Sequence, residues 1–400
     1  MIDSADAARL KTAARGFNPV LAAQPPTIFD VMSTLAREMG AINLGQGFPD
    51  QDGAEDVRTF AARSLMQDSN QYPPSPGLPE LRQAVADHYR RFQHLDLDGM
   101  SEVVVTSGAT EALMAAAMAL LSPGDEVIVF QPLYDAYLPM IRLAGAVPRF
   151  VRLQPPNWRV SAEALEAAFT PRTRMLLFNN PLNPSAVVYG EDELRIVAEA
   201  CVRHDVIAVC DEVWEHVVFD GRPHIPLMGL PGMRERTVKI GSAGKIFSLT
   251  GWKVGFACAA PPIAAAIAKA HAFLTFTTSP NLQRAVAYGM AKDDAYFAPM
   301  RRDFARSRDR LAAGLQAEGF SVLPSQGTYF LLLDLEASGI DATDTVFCER
   351  AVREAGIAAI PVSAFYAEDP VRSVVRLCFS KKDETLDAGI ERLAKARRLF

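Results

Sequence analysis

The sequence predicts an α/β fold, with a doubly wound and mainly parallel sheet and a smaller α+β unit beside it. Three observations predict this class. Short β-rich segments alternate with helical segments, which is the pattern of strand–helix–strand units. Most of the β-rich segments are apolar without interruption, as in strands that helices cover on both faces. Near residue 295 the pattern changes, and a long charged helix leads into a second set of strands.

The predicted strands of the large unit are, in chain order, 102–106, 126–130, 174–178, 206–210, 237–241 and 254–259. Helices are predicted between them, for example over 111–121 and 191–205. The last two strands are separated by a short glycine-rich stretch instead of a helix. Because a parallel connection needs a longer crossover, we expect one of these strands to run antiparallel. In the smaller unit, 327–335 and 374–380 predict further strands.

The domain organisation follows from length and from this change of pattern. A single core rarely exceeds about 300 residues, and the chain has 400. We predict a large domain over residues 41–295 and a small domain made of residues 1–40 and 296–400. The proline-rich segment 71–80 predicts a rigid loop that leads into a helix at Leu81.

Composition and charge argue against several classes of function. A net charge of −6 gives no support for binding to nucleic acid or to an anionic membrane. The most apolar helix candidate, 112–121, has about half the length of a membrane span, and the N-terminus lacks the apolar core of a signal peptide. Five cysteines without a C-x-x-C pair favour a reducing, cytoplasmic setting. Glu212 and His216 share one helical spacing, but a zinc helix needs two histidines, so no metal is predicted.

Polar residues follow the predicted strands at their carboxyl ends, where open α/β sheets bind ligands. After 102–106, the segment "SGAT" leads into a helix whose free N–H groups can hold a phosphate, although such a segment is also an ordinary N-cap turn. Tyr134 and Asn183 follow two other strands. They are placed to cover and to hydrogen-bond a planar ligand, or simply to pack and to form a turn.

Two further strand ends carry charge. Asp211 directly follows a strand, and its carboxylate needs a partner, either a helix N-terminus or a cationic ring nitrogen. Lys245 follows 237–241 at a crowded position, where desolvation lowers the pKa of an amine and favours Schiff-base chemistry. Lys253 lowers that pKa further and, with Ser242, can neutralise a phosphate. Taken together, these groups match pyridoxal 5′-phosphate.

Seven segments carry a resemblance to a known family: "INLGQGFPD", "NQYPPSPG", "SGATEAL", "NNPLNPS", "DEVWEH", "SAGKIFSLTGWKVG" and "VVRLCFS". From about residue 28 to the C-terminus, the chain resembles the class I/II pyridoxal-phosphate-dependent aminotransferases of fold type I. The kynurenine, glutamine and methionine aminotransferases are the branch that it resembles most. The resemblance implies a seven-stranded sheet, a homodimer, pyridoxal 5′-phosphate as cofactor, and a place in amino-acid metabolism.

The resemblance also implies roles for individual residues. Lys245 forms the Schiff base with the cofactor and moves the substrate's α-proton, while Asp211 pairs with the pyridine nitrogen. Further cofactor contacts are expected from Gly108, Ala109, Thr110, Tyr134, Asn183, Trp214, Ser242, Lys253 and, from the neighbouring subunit, Tyr72. Substrate contacts are expected from Gly47, Asn183, Arg376 and Phe29 and, from the neighbouring subunit, Phe276. Arg376 is expected to bind the substrate carboxylate with both arms of its guanidinium.

Two positions depart from the family pattern. Trp214 stands where the family usually has a tyrosine that hydrogen-bonds the ring oxygen, so the acidity of the Schiff base is expected to differ. Ile246 stands where threonine is common, which makes that corner more apolar.

The function predicted from these residues is ping-pong transamination. The candidate pocket residues Phe29, Phe48 and Phe276 are apolar, and no second arginine is placed to bind a distal carboxylate; Arg284 is expected on a helix surface. We therefore predict a neutral, sulfur-containing or aromatic amino donor, such as methionine, glutamine or a kynurenine-like compound, and a 2-oxo acid acceptor.

Three other functions share features with this sequence. C–S β-elimination on cysteine conjugates is the alternative within enzymes, because it uses the same scaffold. A pyridoxal-phosphate-binding transcription regulator needs a basic DNA-binding domain, and only about forty residues precede "INLGQGFPD". A phosphotransferase is rejected, because "GSAGKI" has neither the glycine spacing nor the hydroxyl of a P-loop.

Overall fold

The computed structural model describes residues 16–400, so the first fifteen residues of the predicted small domain lie outside the described part. The strands, numbered in chain order, are β1 (Ile42–Asn43), β2 (Val103–Thr106), β3 (Glu126–Gln131), β4 (Val147–Arg152), β5 (Thr173–Asn179), β6 (Ile207–Asp211), β7 (Thr237–Ser242), β8 (Gly255–Cys258), β9 (Ser321–Val322), β10 (Phe330–Asp334), β11 (Ile357–Ala358), β12 (Ile360–Pro361) and β13 (Val374–Cys378).

Strands β2 to β8 form one seven-stranded sheet in the order β2-β8-β7-β6-β5-β3-β4. Strand β8 is antiparallel to both of its neighbours, and the other pairs are parallel. This confirms the predicted α/β class and the predicted antiparallel strand. The link between β7 and β8 is too short for the usual crossover helix, so β8 returns beside β7 in the opposite direction.

The six strands predicted for this sheet are all present, with ends that shift by at most one residue. The seventh, β4, was not identified from the sequence. It pairs only with β3 at the edge of the sheet, and most of its residues are partly or fully exposed. An edge strand with a proline and two arginines lacks the continuous apolar pattern that identifies the central strands.

The α-helices, numbered in chain order, are α1 (Pro19–Ala22), α2 (Ile28–Glu38), α3 (Glu55–Gln67), α4 (Pro79–Gln93), α5 (Gly99–Glu102), α6 (Ala109–Leu120), α7 (Tyr137–Leu143), α8 (Ala162–Ala168), α9 (Glu191–Arg203), α10 (Ala243–Ile246), α11 (Pro261–Leu274), α12 (Pro280–Met290), α13 (Asp294–Ala317), α14 (Asp344–Arg350) and α15 (Asp383–Arg397). Short 3₁₀ turns span Leu227–Gly229, Thr250–Trp252 and Val362–Phe365, and a π turn spans Ala351–Ala355. Helix α4 begins two residues before Leu81, because Pro79 already has the fixed φ of a first helical residue.

The C-terminal part has sheets of its own. Strands β12-β13-β10-β9 form an antiparallel sheet, and β1 pairs in parallel with β11. The predicted long charged helix is α13. We propose the domain division at residues 40 and 295, since the seven-stranded sheet lies wholly within 41–295 and the four-stranded sheet within 296–400. Strand β1 lies just inside the range of the large domain but pairs with β11 of the small one.

Within residues 16–400, no helix combines the length and the apolar character that a membrane crossing requires.

Candidate active site

A cavity of ≈ 330 Å³ opens at the carboxyl ends of the central strands. The predicted site residues that line it are Phe29, Gly47, Gly108, Ala109, Thr110, Tyr134, Asn183, Asp211, Trp214, Ser242, Lys245, Lys253 and Arg376. They come from the ends of several strands and from the N-terminal segment before α3. The residues that follow the strands of the large sheet meet because parallel strands end at the same edge, and Arg376 is contributed by β13 of the four-stranded sheet.

Lys245 lies on the short helix α10, directly after strand β7. Its Nζ donates a hydrogen bond to the hydroxyl of Tyr329 at 2.8 Å. The same atom lies 4.5 Å from the centre of the Trp214 ring. Ile246, the next residue, is buried and is not one of the residues that line the cavity. The amine is thus held over an aromatic wall and faces the cavity.

Burial lowers the pKa of Lys245 from its ordinary 10.5 to about 8. The positive charges of Arg376 and Lys253 lower this pKa as well, and Asp211 opposes them. Lys253 acts in the predicted direction, but burial is the larger cause. An amine with this pKa is partly neutral near pH 7, which is the form that acts as a nucleophile or as a base.

Asp211 is the last residue of β6 and is buried, with 6% of its surface exposed. Its Oδ2 accepts a hydrogen bond from the hydroxyl of Tyr137 at 2.7 Å, and the backbone N–H of Val213 lies 3.5 Å from Oδ1. Burial raises the pKa of this carboxyl, while the Tyr137 hydroxyl opposes the rise. A buried carboxylate with room beside it favours a cationic partner in the cavity.

Arg376 and Asn183 are joined directly. The Arg376 guanidinium is 1% exposed and donates from Nη1 to Asn183 Oδ1 at 2.8 Å and from Nη2 to the Gly45 carbonyl at 3.0 Å. Because Asn183 Oδ1 is already an acceptor, its Nδ2 group is the one left to donate into the cavity. The guanidinium also stacks over Phe330, 3.9 Å from the ring centre. Burial lowers the pKa of Arg376 to about 10, so it stays positively charged at neutral pH.

The end of the cavity beside the N-terminus of α6 carries a positive charge, that of Lys253. Gly108 has φ 81°, and a Cβ at this position would lie 3.1 Å from Nζ of Lys253. Gly255 is packed as closely, since its Cβ would lie 2.6 Å from the backbone nitrogen of Ala109. Glycine at position 108 lets the Lys253 ammonium group approach the N-terminus of α6, and glycine at position 255 lets the backbone of strand β8 do so. Gly108, Lys253 and Ser242 line this end of the cavity, where a phosphate site is predicted; the binding of a phosphate there stays a prediction.

Several residues of the cavity were not predicted. They are Gln46, Leu113, Asn179, Val213, Gly244, Thr250 and Phe330 on the wall, and Tyr137 and Tyr329 behind it. Asn179 offered a signal, because it also ends a strand. Phe48, which the sequence placed in the pocket, does line it.

Tyr72 and Phe276 lie away from this cavity, on the surface of the same chain. Their rings pack edge to face with centres 5.3 Å apart, and they are 81% and 48% exposed. Both were predicted to serve the site of a neighbouring subunit. Their position is compatible with that role, which stays a prediction.

The cavity residues fit pyridoxal 5′-phosphate. The close approach of Lys253 to Gly108 suits the phosphate, and Asp211 has room for a pyridinium nitrogen. Tyr134 stands in the wall with its ring edge to face with Tyr137. The Nε of Arg376 is buried and has no hydrogen-bond partner among the described residues, so it is a free donor for a bound ligand.

Both the sequence and the structure of this chain are similar to those of known proteins. The family model described as "Aminotransferase class I and II" matches residues 40–393. The probable N-succinyldiaminopimelate aminotransferase DapC of Mycobacterium tuberculosis is 43% identical, over 92% of this chain and 95% of that protein. The methionine aminotransferase of Escherichia coli is 41% identical, over 92% and 95%.

A more distant relative and a solved structure are aminotransferases as well. Kynurenine–oxoglutarate transaminase 3 of Rattus norvegicus is 34% identical, over 89% of this chain and 85% of that protein. The structure of N-succinyldiaminopimelate aminotransferase from Mycobacterium tuberculosis superposes with a TM-score of 0.92 and 43% identity, covering 95% of this chain and 100% of that one.

Proposed function

Because the chain belongs to the class I and II aminotransferase family, we propose that it moves the α-amino group of a neutral amino acid to a 2-oxo acid. The chain is a pyridoxal-5′-phosphate-dependent transaminase of fold type I. The proposed donors carry sulfur-containing, aromatic or uncharged polar side chains, such as methionine, kynurenine-like compounds or glutamine. The proposed mechanism is ping-pong, so the amino donor and the 2-oxo acid occupy the same cavity in turn.

Each group in the cavity has a proposed task. When bound, pyridoxal phosphate supplies an aldehyde and an electron-accepting ring. Lys245 Nζ would hold that aldehyde and, as a free amine, would take the proton from the substrate Cα. The Asp211 carboxylate would hold the ring nitrogen and favour its protonated form. Asn183 would donate from Nδ2 to the ring oxygen, and Arg376 would bind the substrate carboxylate.

The wall of the cavity carries the proposal for the substrate class. Its side-chain pocket is apolar on the side of Phe29, Phe48, Leu113 and Phe330. Among the lining residues of the described chain, Arg376 is the only arginine. A distal carboxylate would enter this wall without a paired charge, and burying an unpaired charge is costly. A neutral side chain pays no such penalty.

A panel of donors tests this proposal. Methionine, glutamine, phenylalanine, kynurenine, aspartate and N-succinyldiaminopimelate are each added to the loaded enzyme, and the conversion of the cofactor to its pyridoxamine form is followed by absorbance. We expect the neutral donors to convert fastest. Fastest conversion by aspartate or by N-succinyldiaminopimelate would show that a distal carboxylate is bound. The Lys245→Ala variant is the control and should not convert.

The relatives named above are all aminotransferases, so none of them supports the β-elimination alternative.

We also propose a homodimer in which Tyr72 and Phe276 complete the site of the partner subunit. The support is the exposure of aromatic side chains on this chain. Tyr72 and Phe276 pack against each other and are 81% and 48% exposed, and Phe273, three residues before Phe276, is 91% exposed. Large apolar side chains exposed in this way are typical of an interaction surface.

Mixing two inactive variants tests the shared site. Lys245→Ala removes the amine, and Tyr72→Ala removes the residue proposed to reach the partner's phosphate. If Tyr72 acts on the partner's site, a hybrid dimer has one site with both native residues, so refolding the variants together restores activity. If Tyr72 acts within its own chain, the mixture stays as weak as the separate variants.

A cytoplasmic location is proposed as well. All five cysteines are buried and free, as expected for a protein of a reducing compartment. Fractionation of the source cells, with the enzyme followed by antibody, is the test, and an extracytoplasmic fraction would contradict it.

A further inference from the structure

Tyr329 is the residue in direct contact with the Lys245 amine. It lies one residue before strand β10, is 2% exposed, and accepts a hydrogen bond from Lys245 Nζ at 2.8 Å. Its own O–H donates to the carbonyl oxygen of Gly47 at 2.5 Å. The phenol therefore offers only its oxygen lone pair to the amine, because its single proton is already committed.

The position of this hydroxyl is enforced from several sides. The ring meets Trp214 edge to face, with centres 4.3 Å apart at 90°, and packs against Phe330 at 5.1 Å. Thr328, the preceding residue, has φ 64°, which is a strained backbone for a β-branched side chain. Its N–H is held by the carbonyl of Val217 at 2.8 Å. Strain that the surroundings enforce is typical of residues that position functional groups.

The other end of the contact is the segment 45–48, which carries three cavity-lining residues: Gln46, Gly47 and Phe48. The carbonyl of Gly45, in the same segment, accepts from Arg376 Nη2 at 3.0 Å. The Tyr329 hydroxyl is thus a single atom that bridges the amine and the substrate-facing segment.

We propose that Tyr329 is a positioning residue that holds the free Lys245 amine by its phenol oxygen and ties that amine to segment 45–48. This proposal rests on the proposed function, in which Lys245 is the reacting amine. The tie fixes the direction of the amine while the lysine is not bonded to the cofactor. In that interval the lysine must remain beside the substrate Cα, and the Tyr329 oxygen prevents it from turning away.

The test is Tyr329→Phe, which removes the hydroxyl and keeps the ring contacts. Full-length enzyme is loaded with pyridoxamine phosphate, so that Lys245 is free, and its amine is labelled with trace acetic anhydride over a range of pH. Mass spectrometry of the Lys245 peptide gives the titration. The other titratable groups around the amine are Cys378, Asp211, Arg376 and Lys253, and the variant changes none of them.

The expected result is an amine that titrates at lower pH, because its ammonium form loses an acceptor. A loss of one such hydrogen bond gives about fivefold more labelling at pH 7. Hydrogen exchange of the segment 45–48 should also become faster. Tyr189→Phe is the matched control, since Tyr189 is a buried tyrosine that donates to a backbone carbonyl, that of Trp158, at 3.0 Å and is not one of the residues that line the cavity. This control should change neither readout.

An unchanged Lys245 titration in Tyr329→Phe overturns the inference, and a change equal to that in Tyr189→Phe does so as well. Should Tyr329→Phe fail to fold, 3-fluorotyrosine in place of Tyr329 keeps the hydroxyl but weakens it as an acceptor, and a smaller shift in the same direction is required. Borohydride trapping of the pyridoxal-phosphate form distinguishes a failure of the proposed function from a failure of the proposed role of Tyr329. Cofactor trapped on another lysine refutes the proposed function, whereas cofactor on Lys245 with an unchanged titration refutes only the role of Tyr329.

Discussion

Replacing Lys245 by methionine is expected to make the cofactor-free protein more stable at neutral pH while it abolishes transamination. The reason lies in the pKa of the amine, which burial lowers from 10.5 to about 8. The unfolded chain binds the proton more tightly than the folded chain does. The ammonium form therefore favours unfolding at pH 7, and this penalty disappears as the pH rises through 8 toward 10.5. Methionine has a similar length and carries no charge.

The size of the effect follows from the two pKa values. At pH 7, a lowering from 10.5 to about 8 costs the folded state about 3 kcal/mol. The amine is only partly buried by surface area and faces the cavity, where water screens its charge, so we expect about 2 kcal/mol. At pH 9.5 the same calculation leaves less than half of this penalty, about 1 kcal/mol.

Chemical denaturation of cofactor-free protein, at equal protein concentration and at pH 7 and 9.5, measures both values. The control is Lys269→Met on α11, where the lysine is exposed and its removal should change the free energy of unfolding by less than about 0.5 kcal/mol at either pH. The reasoning fails if Lys245→Met is less stable than the wild type at pH 7. It also fails if the difference between the two proteins does not shrink at pH 9.5.

Three other predictions concern single contacts. Tyr137→Phe removes the principal donor to the Asp211 carboxylate, so kcat/KM should fall about tenfold to a hundredfold, and the acidic limb of the pH–rate profile should move to higher pH; an unmoved limb contradicts this. Arg376→Lys keeps the charge but loses the planar fork, so KM for the amino donor should rise about tenfold to a hundredfold in steady-state kinetics, and an unchanged KM would exclude a bidentate contact. Lys239→Met removes the cation whose Nζ lies 2.5 Å from the buried Glu212 and 2.8 Å from the buried Glu215. The free energy of unfolding, measured in urea, should therefore fall by about 3–5 kcal/mol. A loss below about 1 kcal/mol would contradict this, because it would mean that the two carboxylates are not left as unpaired buried charges.

The seven-stranded sheet shows which elements a sequence pattern reveals. Strands that helices cover on both faces must be apolar throughout, and this local signal identified the five central strands and also β2, an edge strand that is buried along its whole length. Strand β4 at the edge has no such requirement, and its alternating, partly exposed sequence did not predict a strand. Helix α4 begins at Pro79, two residues before the predicted start at Leu81, because the start of a helix depends on local φ preferences and not on the apolar period.

The sequence by itself determined the fold class, the lysine and the carboxylate at the strand ends, and the glycine before α6, since each of these leaves a signal within a few residues. The tertiary structure alone decided which groups hold them in place. Tyr137 reaches Asp211 across 74 positions, Tyr329 reaches Lys245 across 84, and the same hydroxyl reaches Gly47 across 282. A tyrosine beside an apolar segment has the same pattern whether its hydroxyl faces solvent or a reacting amine. Only the packing of distant segments brings donor and acceptor within hydrogen-bonding distance.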